Sequence, residues 1–143
     1  MSAEIFPDVF AAYAAGHWLG DYWVQTNAQA ATKALPGWPG RRACAAHVAT
    51  YILTLAACLG LAWWWLDLPV HIVWAAAGLA VSAVTHYFAD RRRPLRRLAG
   101  LIPGKLGFWQ AGDGLASGGA YLDQAWHWWW LFAAALVTAG GAR

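Results

Sequence analysis

Two apolar stretches lie almost end to end, with only Asp67 and Leu68 between them. Residues 43–66 (ACAAHVATYILTLAACLGLAWWWL) hold one ionisable side chain, His47. Residues 69–89 (PVHIVWAAAGLAVSAVTHYFA) hold His71 near one end and His86 near the other. Each exceeds the roughly 20 residues that a helix needs to cross about 30 Å of hydrocarbon. A chain with such a pair has few ways to stay in water. Composition agrees: 60% of the residues are hydrophobic and 12% are charged, roughly half the charged share of a soluble domain. Seventeen charged residues among 143 are too few to coat a soluble core. A disordered tail, a collagen-like or low-complexity chain and a heavily solvated nucleic-acid binder are excluded.

Two further spans are expected. Residues 121–139 are apolar after their first turn. Residues 7–28 are started by Pro7 or capped by Asp8, and are interrupted by His17, Asp21 and Gln25. The expected fold is all-α: a polytopic four-transmembrane-helix bundle forming one domain over residues 1–143. The N-terminal MSAEIFPD has no basic flank, so it is not read as a cleaved signal peptide.

Lys and Arg set the orientation. Lys33, Arg41 and Arg42 lie between spans one and two, and Arg91, Arg92, Arg93, Arg96, Arg97 and Lys105 between spans three and four. Nine of the ten basic residues therefore occupy two loops that share a side. Both loops are expected in the cytoplasm, with both termini outside, in a multi-pass inner (cytoplasmic) membrane protein. This clustering makes the net charge of +3 no argument for nucleic acid, and no nucleic-acid partner is expected. Membrane lipid is the expected partner, and 15.5 kDa with four spans suits a homo-oligomer. Gly16 and Gly20 are the best candidates for close helix packing. Cys44 and Cys58, about 21 Å apart along a helix, cannot form a disulfide. Trp63–Trp65, Trp126 and Trp128–Trp130 read as interfacial aromatics, with an aromatic-lined groove as the alternative. The Gly-rich stretch 100–119 lacks Walker spacing and reads as a flexible or re-entrant cytoplasmic loop.

Ionisable groups inside a bilayer are costly and usually functional or mutually satisfied. Span one has His17, Asp21 and Gln25 at i, i+4 and i+8; span three has Ser82, His86 and Asp90 at the same spacing. Span four has Asp123 and His127 at i, i+4, and span two has His47 with Tyr51 one turn on. Such spacing puts each set on one helical face. With the orientation above, all fall within roughly 10 Å of the inner face at 1.5 Å per residue. His71 falls at the opposite face and is excluded. Four imidazoles and three carboxylates in one layer suit a divalent metal, zinc first, as one or two ions. The expected ligands are His17, Asp21, His47, His86, Asp90, Asp123 and His127, with Asp21, Asp90 and Asp123 as candidate catalytic carboxylates. Lys33 and Arg91–Arg93 are placed to hold an anionic head group or to set topology. A mutually hydrogen-bonded polar core is the structural alternative.

The run His17-Trp18-Leu19-Gly20-Asp21-Tyr22-Trp23-Val24-Gln25-Thr26, followed by Lys33, resembles the opening signature of a family of small bacterial and phage membrane proteins. That family is catalogued as domain of unknown function 3307. The likeness continues through His47, Thr85-His86-Tyr87-Phe88-Ala89-Asp90 and Asp123-Gln124-Ala125-Trp126-His127. It implies a compact helical membrane protein in which Gln25, Lys33 and Gln124 join the His and Asp residues as functional positions, and it brings no activity. A looser likeness to membrane-bound metal-dependent hydrolases rests on His and Asp at helix ends.

The leading expectation is a metal-dependent hydrolase acting on a lipid-borne or membrane-adjacent substrate, a phosphoester among them. The alternative is a non-enzymatic phage-type envelope or exclusion factor with a structural metal or polar core. Ion or proton transport is third.

Overall fold

The computed structural model describes residues 2–142. Their regular structure is all helix, 83% of the chain, with no strand among the described residues. Four long helices form the body: α1 (Ser2–Leu19), α3 (Gly37–Leu66), α4 (Ile72–Asp90) and α7 (Gly118–Gly140). Helix α1 packs on α3 and α7, and α4 packs on the same two, which closes a four-membered ring. Shorter helices α2 (Asn27–Thr32), α5 (Arg93–Gly100) and α6 (Lys105–Gln110) gather at one end.

Of the long helices, α3 and α4 are long and apolar enough to cross a membrane. The other two carry much of the polar cluster, His17 on α1 and Asp123 and His127 on α7, which lowers their hydropathy. The outer surface is nonetheless apolar: Leu53, Val84 and Trp65 are 69%, 70% and 73% exposed. Inside, one half of the ring is ordinary core, with Val9, Leu55, Leu59, Leu131 and Ala135 buried. The other half buries His17, His47, Ser82, His86, Asp90 and His127. The Tyr51–Ser82 hydrogen bond (3.3 Å) lies at the boundary, and the Tyr13–Thr138 bond (2.8 Å) lies within the apolar half.

Helix ends depart from the expected spans for local reasons. Helix α1 begins at Ser2 and runs through Pro7. Burial of Ile5 and Val9 outweighs the one backbone bond that proline removes. Its far end is a π-turn, Gly20–Val24, closed by Gln25 N–H donating to the Gly20 carbonyl at 3.0 Å. The chain is then extended at Gln25, and α2 starts afresh under a capping box formed by Thr26 and Gln29. The single span expected over 7–28 is thus broken near Gln25. The span expected from residue 69 becomes helical only at Ile72, because Asp67 turns left-handed and His71 caps α4 by accepting from Val73 N–H. The Gly-rich stretch 100–119 is not merely a flexible loop. It contains α6 and a 3-10 turn, Gly114–Ala116, and Trp109 of α6 lies over Gly119 of α7.

Both basic loops meet at the polar end. The Arg91 guanidinium donates to the carbonyls of Lys33 and Leu35, and Lys33 Nζ lies 2.9 Å from Asp90 Oδ1. The two cysteines are free, as their spacing requires.

Close approach, which small residues permit, sets the helix pairs. A Cβ on Gly16 would stand 2.9 Å from Leu55 Cα, so this residue seats α1 on α3 within the chain. A Cβ on Gly78 would collide with Thr138 Oγ1 and the Ala134 carbonyl oxygen. Gly78→Ala is therefore expected to cost about 1–3 kcal/mol through overpacking. Gly60→Ala, which meets nothing within 4 Å, is the control and gains helix propensity. Thermal unfolding of the detergent-solubilised pair checks this. Equal midpoints would contradict the packing argument.

Candidate metal centre

Each helix of the ring brings at least one donor to the polar end. Residues four apart in a helix share a face, so α1 and its π-turn present His17 with Asp21, α4 presents His86 with Asp90, and α7 presents Asp123 with His127. Helix α3 contributes His47. Although the π-turn adds a residue to the helix, Asp21 still reaches inward while Tyr22, Trp23 and Val24 are exposed. Such single-turn insertions are frequent at functional sites.

At the centre, four atoms converge. His47 Nε2 lies 3.1 Å from His86 Nε2. Asp21 Oδ1 is 3.3 Å from His47 Nε2 and 3.4 Å from His86 Nε2, and Asp90 Oδ2 is 3.2 Å and 3.3 Å from the same two nitrogens. These distances form two triangles that share the His47–His86 edge, and over each lies a point about 2.0 Å from its three corners, the bond length of a divalent first-row ion to nitrogen or oxygen. Three groups of donors each lie within 4.8 Å of one another: His17–Asp21–His86, His47–His86–Asp90 and Asp90–Asp123–His127. These buried groups could hold a metal ion.

The polar end is not fully hydrogen-bonded. Asp21 Oδ1 and Asp90 Oδ2 are buried and accept no hydrogen bond, although imidazole nitrogens stand beside them. The Nε2 atoms of His47 and His86 instead hydrogen-bond to each other at 3.1 Å. Eight of the nine buried side-chain polar atoms without a partner, among the described residues, belong to His17, Asp21, Gln25, His47, His86, Asp90, Asp123 and His127. An unsatisfied buried group costs about 1–3 kcal/mol, and these atoms are free to meet an ion or water.

The surrounding residues hold the donors in place. The Tyr51 ring stacks on His86 at 3.8 Å between centroids. The Gln124 Oε1 accepts from His17 Nε2 at 3.3 Å, and His17 Nδ1 faces Asp21 Oδ2 at 3.4 Å. The His127 Nδ1–H donates to the Asp123 backbone carbonyl at 2.8 Å, which leaves the lone pair on Nε2. On α4, the Thr85 carbonyl accepts from Trp126 Nε1 of α7 at 3.1 Å.

All seven expected ligands therefore meet at one end of the ring, with Tyr51, Gln124 and Lys33 in contact with them. Gln25 follows the π-turn half-buried, with Nε2 unpartnered. Arg91 serves the backbone of the first loop and does not face the donors. His71 caps the far end of α4.

A cleft of about 350 Å³ is bordered by Trp18, Tyr22, Arg92, Asp123, Gln124 and Trp128; the aromatic-lined groove offered as an alternative for the Trp clusters shares only Trp128 with it. Trp18 and Tyr22 stack at 4.8 Å. Their signal was present as His17-Trp18 and Asp21-Tyr22, each aromatic one step round from a donor. The wall contributed by α7 and Arg92 is long-range and left no local sign.

Stripping with a chelator is expected to lower the thermal midpoint of the purified chain, because the donors then face one another unbridged. An unchanged midpoint in a metal-free preparation would support a self-sufficient polar core. In comparisons with family models, curated proteins and solved structures the chain matches none, so geometry alone carries the functional reading.

Proposed function

We propose that this chain is a four-span inner-membrane protein with a divalent metal centre, zinc first, near its cytoplasmic face, and that it hydrolyses a lipid-borne or membrane-adjacent phosphoester. Membership of the family that its motifs resemble is part of the same proposal and adds no activity to it.

The membrane reading is supported by the inversion of ordinary burial: apolar side chains cover the outside of the ring, and ionisable ones fill one end of its interior. Helices α4 and α7, at 19 and 23 residues, span about 28 and 34 Å, matching a hydrocarbon core of about 30 Å. The basic loops gather at the polar end, as cytoplasmic loops do.

The hydrolase reading is carried by one observation: Asp123 belongs both to a metal-capable group and to the wall of the open cleft. A closed structural site has no such opening. A bound divalent ion supplies Lewis acidity and a nucleophile derived from water near neutral pH. The protein's part is to hold and orient. Asp21, His47, His86 and Asp90 form the cage, Lys33 neutralises the outer oxygen of Asp90, and Tyr51 fixes the His86 ring. Trp18, Tyr22 and Trp128 offer amphipathic rings to a lipid, and Arg92 offers a cation to its anionic group. Transport is disfavoured because the core beyond the donors is filled by Val9, Leu55, Leu59 and Leu131.

Protein purified in detergent and reconstituted with a long-chain phosphatidic acid should release inorganic phosphate. Turnover should vanish with chelator, return with Zn²⁺, and fall in His86→Ala by more than the roughly 10–100-fold that losing an outer partner of a metal ligand costs. A preparation that binds no metal and keeps wild-type stability would overturn the proposal.

A further inference from the structure

The cage formed by Asp21, His47, His86 and Asp90 leaves donors over. The Nε2 of His127 and Oδ1 of Asp123 are buried and unpartnered, and neither belongs to the cage. The His127 tautomer is settled by its neighbour, since a backbone carbonyl only accepts; Nδ1 carries the proton and Nε2 the lone pair. His127 is 3% exposed, and its ring centre lies 4.3 Å from that of His86. Asp90, Asp123 and His127 offer ligand atoms within 4.8 Å of one another. Asp90 thus belongs to both donor sets, as a bridging carboxylate does in dinuclear bundle sites.

Charge decides when such a second position fills. The three carboxylates, offset by Lys33 at 2.9 Å from Asp90, leave the buried cluster with a net charge of two negatives, taking the imidazoles as neutral ligands. One divalent cation brings that to zero. A second adds two positive charges, which a poorly solvated interior does not hold without a counter-ion. The cleft wall supplies the entry for one: Asp123 stands in it beside Arg92, a cation placed to attract an oxyanion.

We infer that Asp90, Asp123 and His127 form a second divalent-cation site on the cleft side of the cage, and that it fills together with an oxyanion of the phosphate class. This rests on the metal-centre reading above. Three protein donors leave that ion open positions on the side from which a substrate arrives, so the second site recruits the phosphate group of the substrate.

The test is metal stoichiometry of the full chain in detergent, dialysed to equilibrium against Mn²⁺ with and without inorganic phosphate. The wild type should hold one ion per chain without phosphate and two with it. His127→Gln and Asp123→Asn should keep the first ion, which also reports an intact fold, and fail to gain the second. One ion in both conditions, or two in both, overturns the phosphate-coupled second site while leaving the metal centre standing. No ion in either condition overturns the metal centre and this inference together.

Discussion

The structure depends on a single requirement: polar atoms taken out of water must meet partners, and these partners come from four different helices. Asp21 ends the α1 segment, His47 belongs to α3, His86 and Asp90 to α4, and Asp123 and His127 to α7. Their meeting point fixes the rotation and the height of every long helix at once. A slip by one turn, about 5.4 Å, would pull a donor out of pairs that stand 3.1 to 3.6 Å apart. Apolar packing tolerates small slips better, because hydrophobic contact is not directional. The polar end therefore supplies the register, and the apolar end supplies cohesion.

The apolar half is built for close approach. Gly16 lets α1 touch the backbone of α3, and Gly78 lets α4 sit against α7 beside Thr138. Tyr13 and Tyr51 each turn a ring to the core and a hydroxyl to a buried Thr or Ser. Such residues join two environments with few exposed polar groups. The short helices close the polar end without sealing it, since the cleft beside Asp123 stays open.

Much of this was legible in the residues themselves. Helix periodicity turned i, i+4 spacing into shared faces, so the pairs His17–Asp21, His86–Asp90 and Asp123–His127 could be assigned a common layer before any coordinates. The two apolar runs marked α3 and α4 by length alone. Local conformations with competing local signals were harder to read. Pro7 and Asp8 advertise a helix start, yet burial of Ile5 and Val9 carries the helix past them. Nothing in the run Gly20–Val24 advertises a π-turn. Gly-rich chain between residues 100 and 119 looks like a loop until Trp109 finds Gly119. Contacts between distant segments were least visible: Arg91 reads as one charge in a row of arginines, and only the fold shows that it holds the carbonyls of another loop.

That Arg91 clasp has a consequence for biogenesis. On the proposed four-span reading, each hairpin can insert in either direction, and basic residues bias the choice. Here the same basic residues are also structural fasteners: Arg91 grips the segment at Lys33 and Leu35, while Lys33 grips Asp90. An inverted hairpin would carry these partners to opposite leaflets, and neither clasp nor cage could form. On that reading, correct topology and a completed site become one event, because the residues that orient the chain are the ones that hold its two loops together.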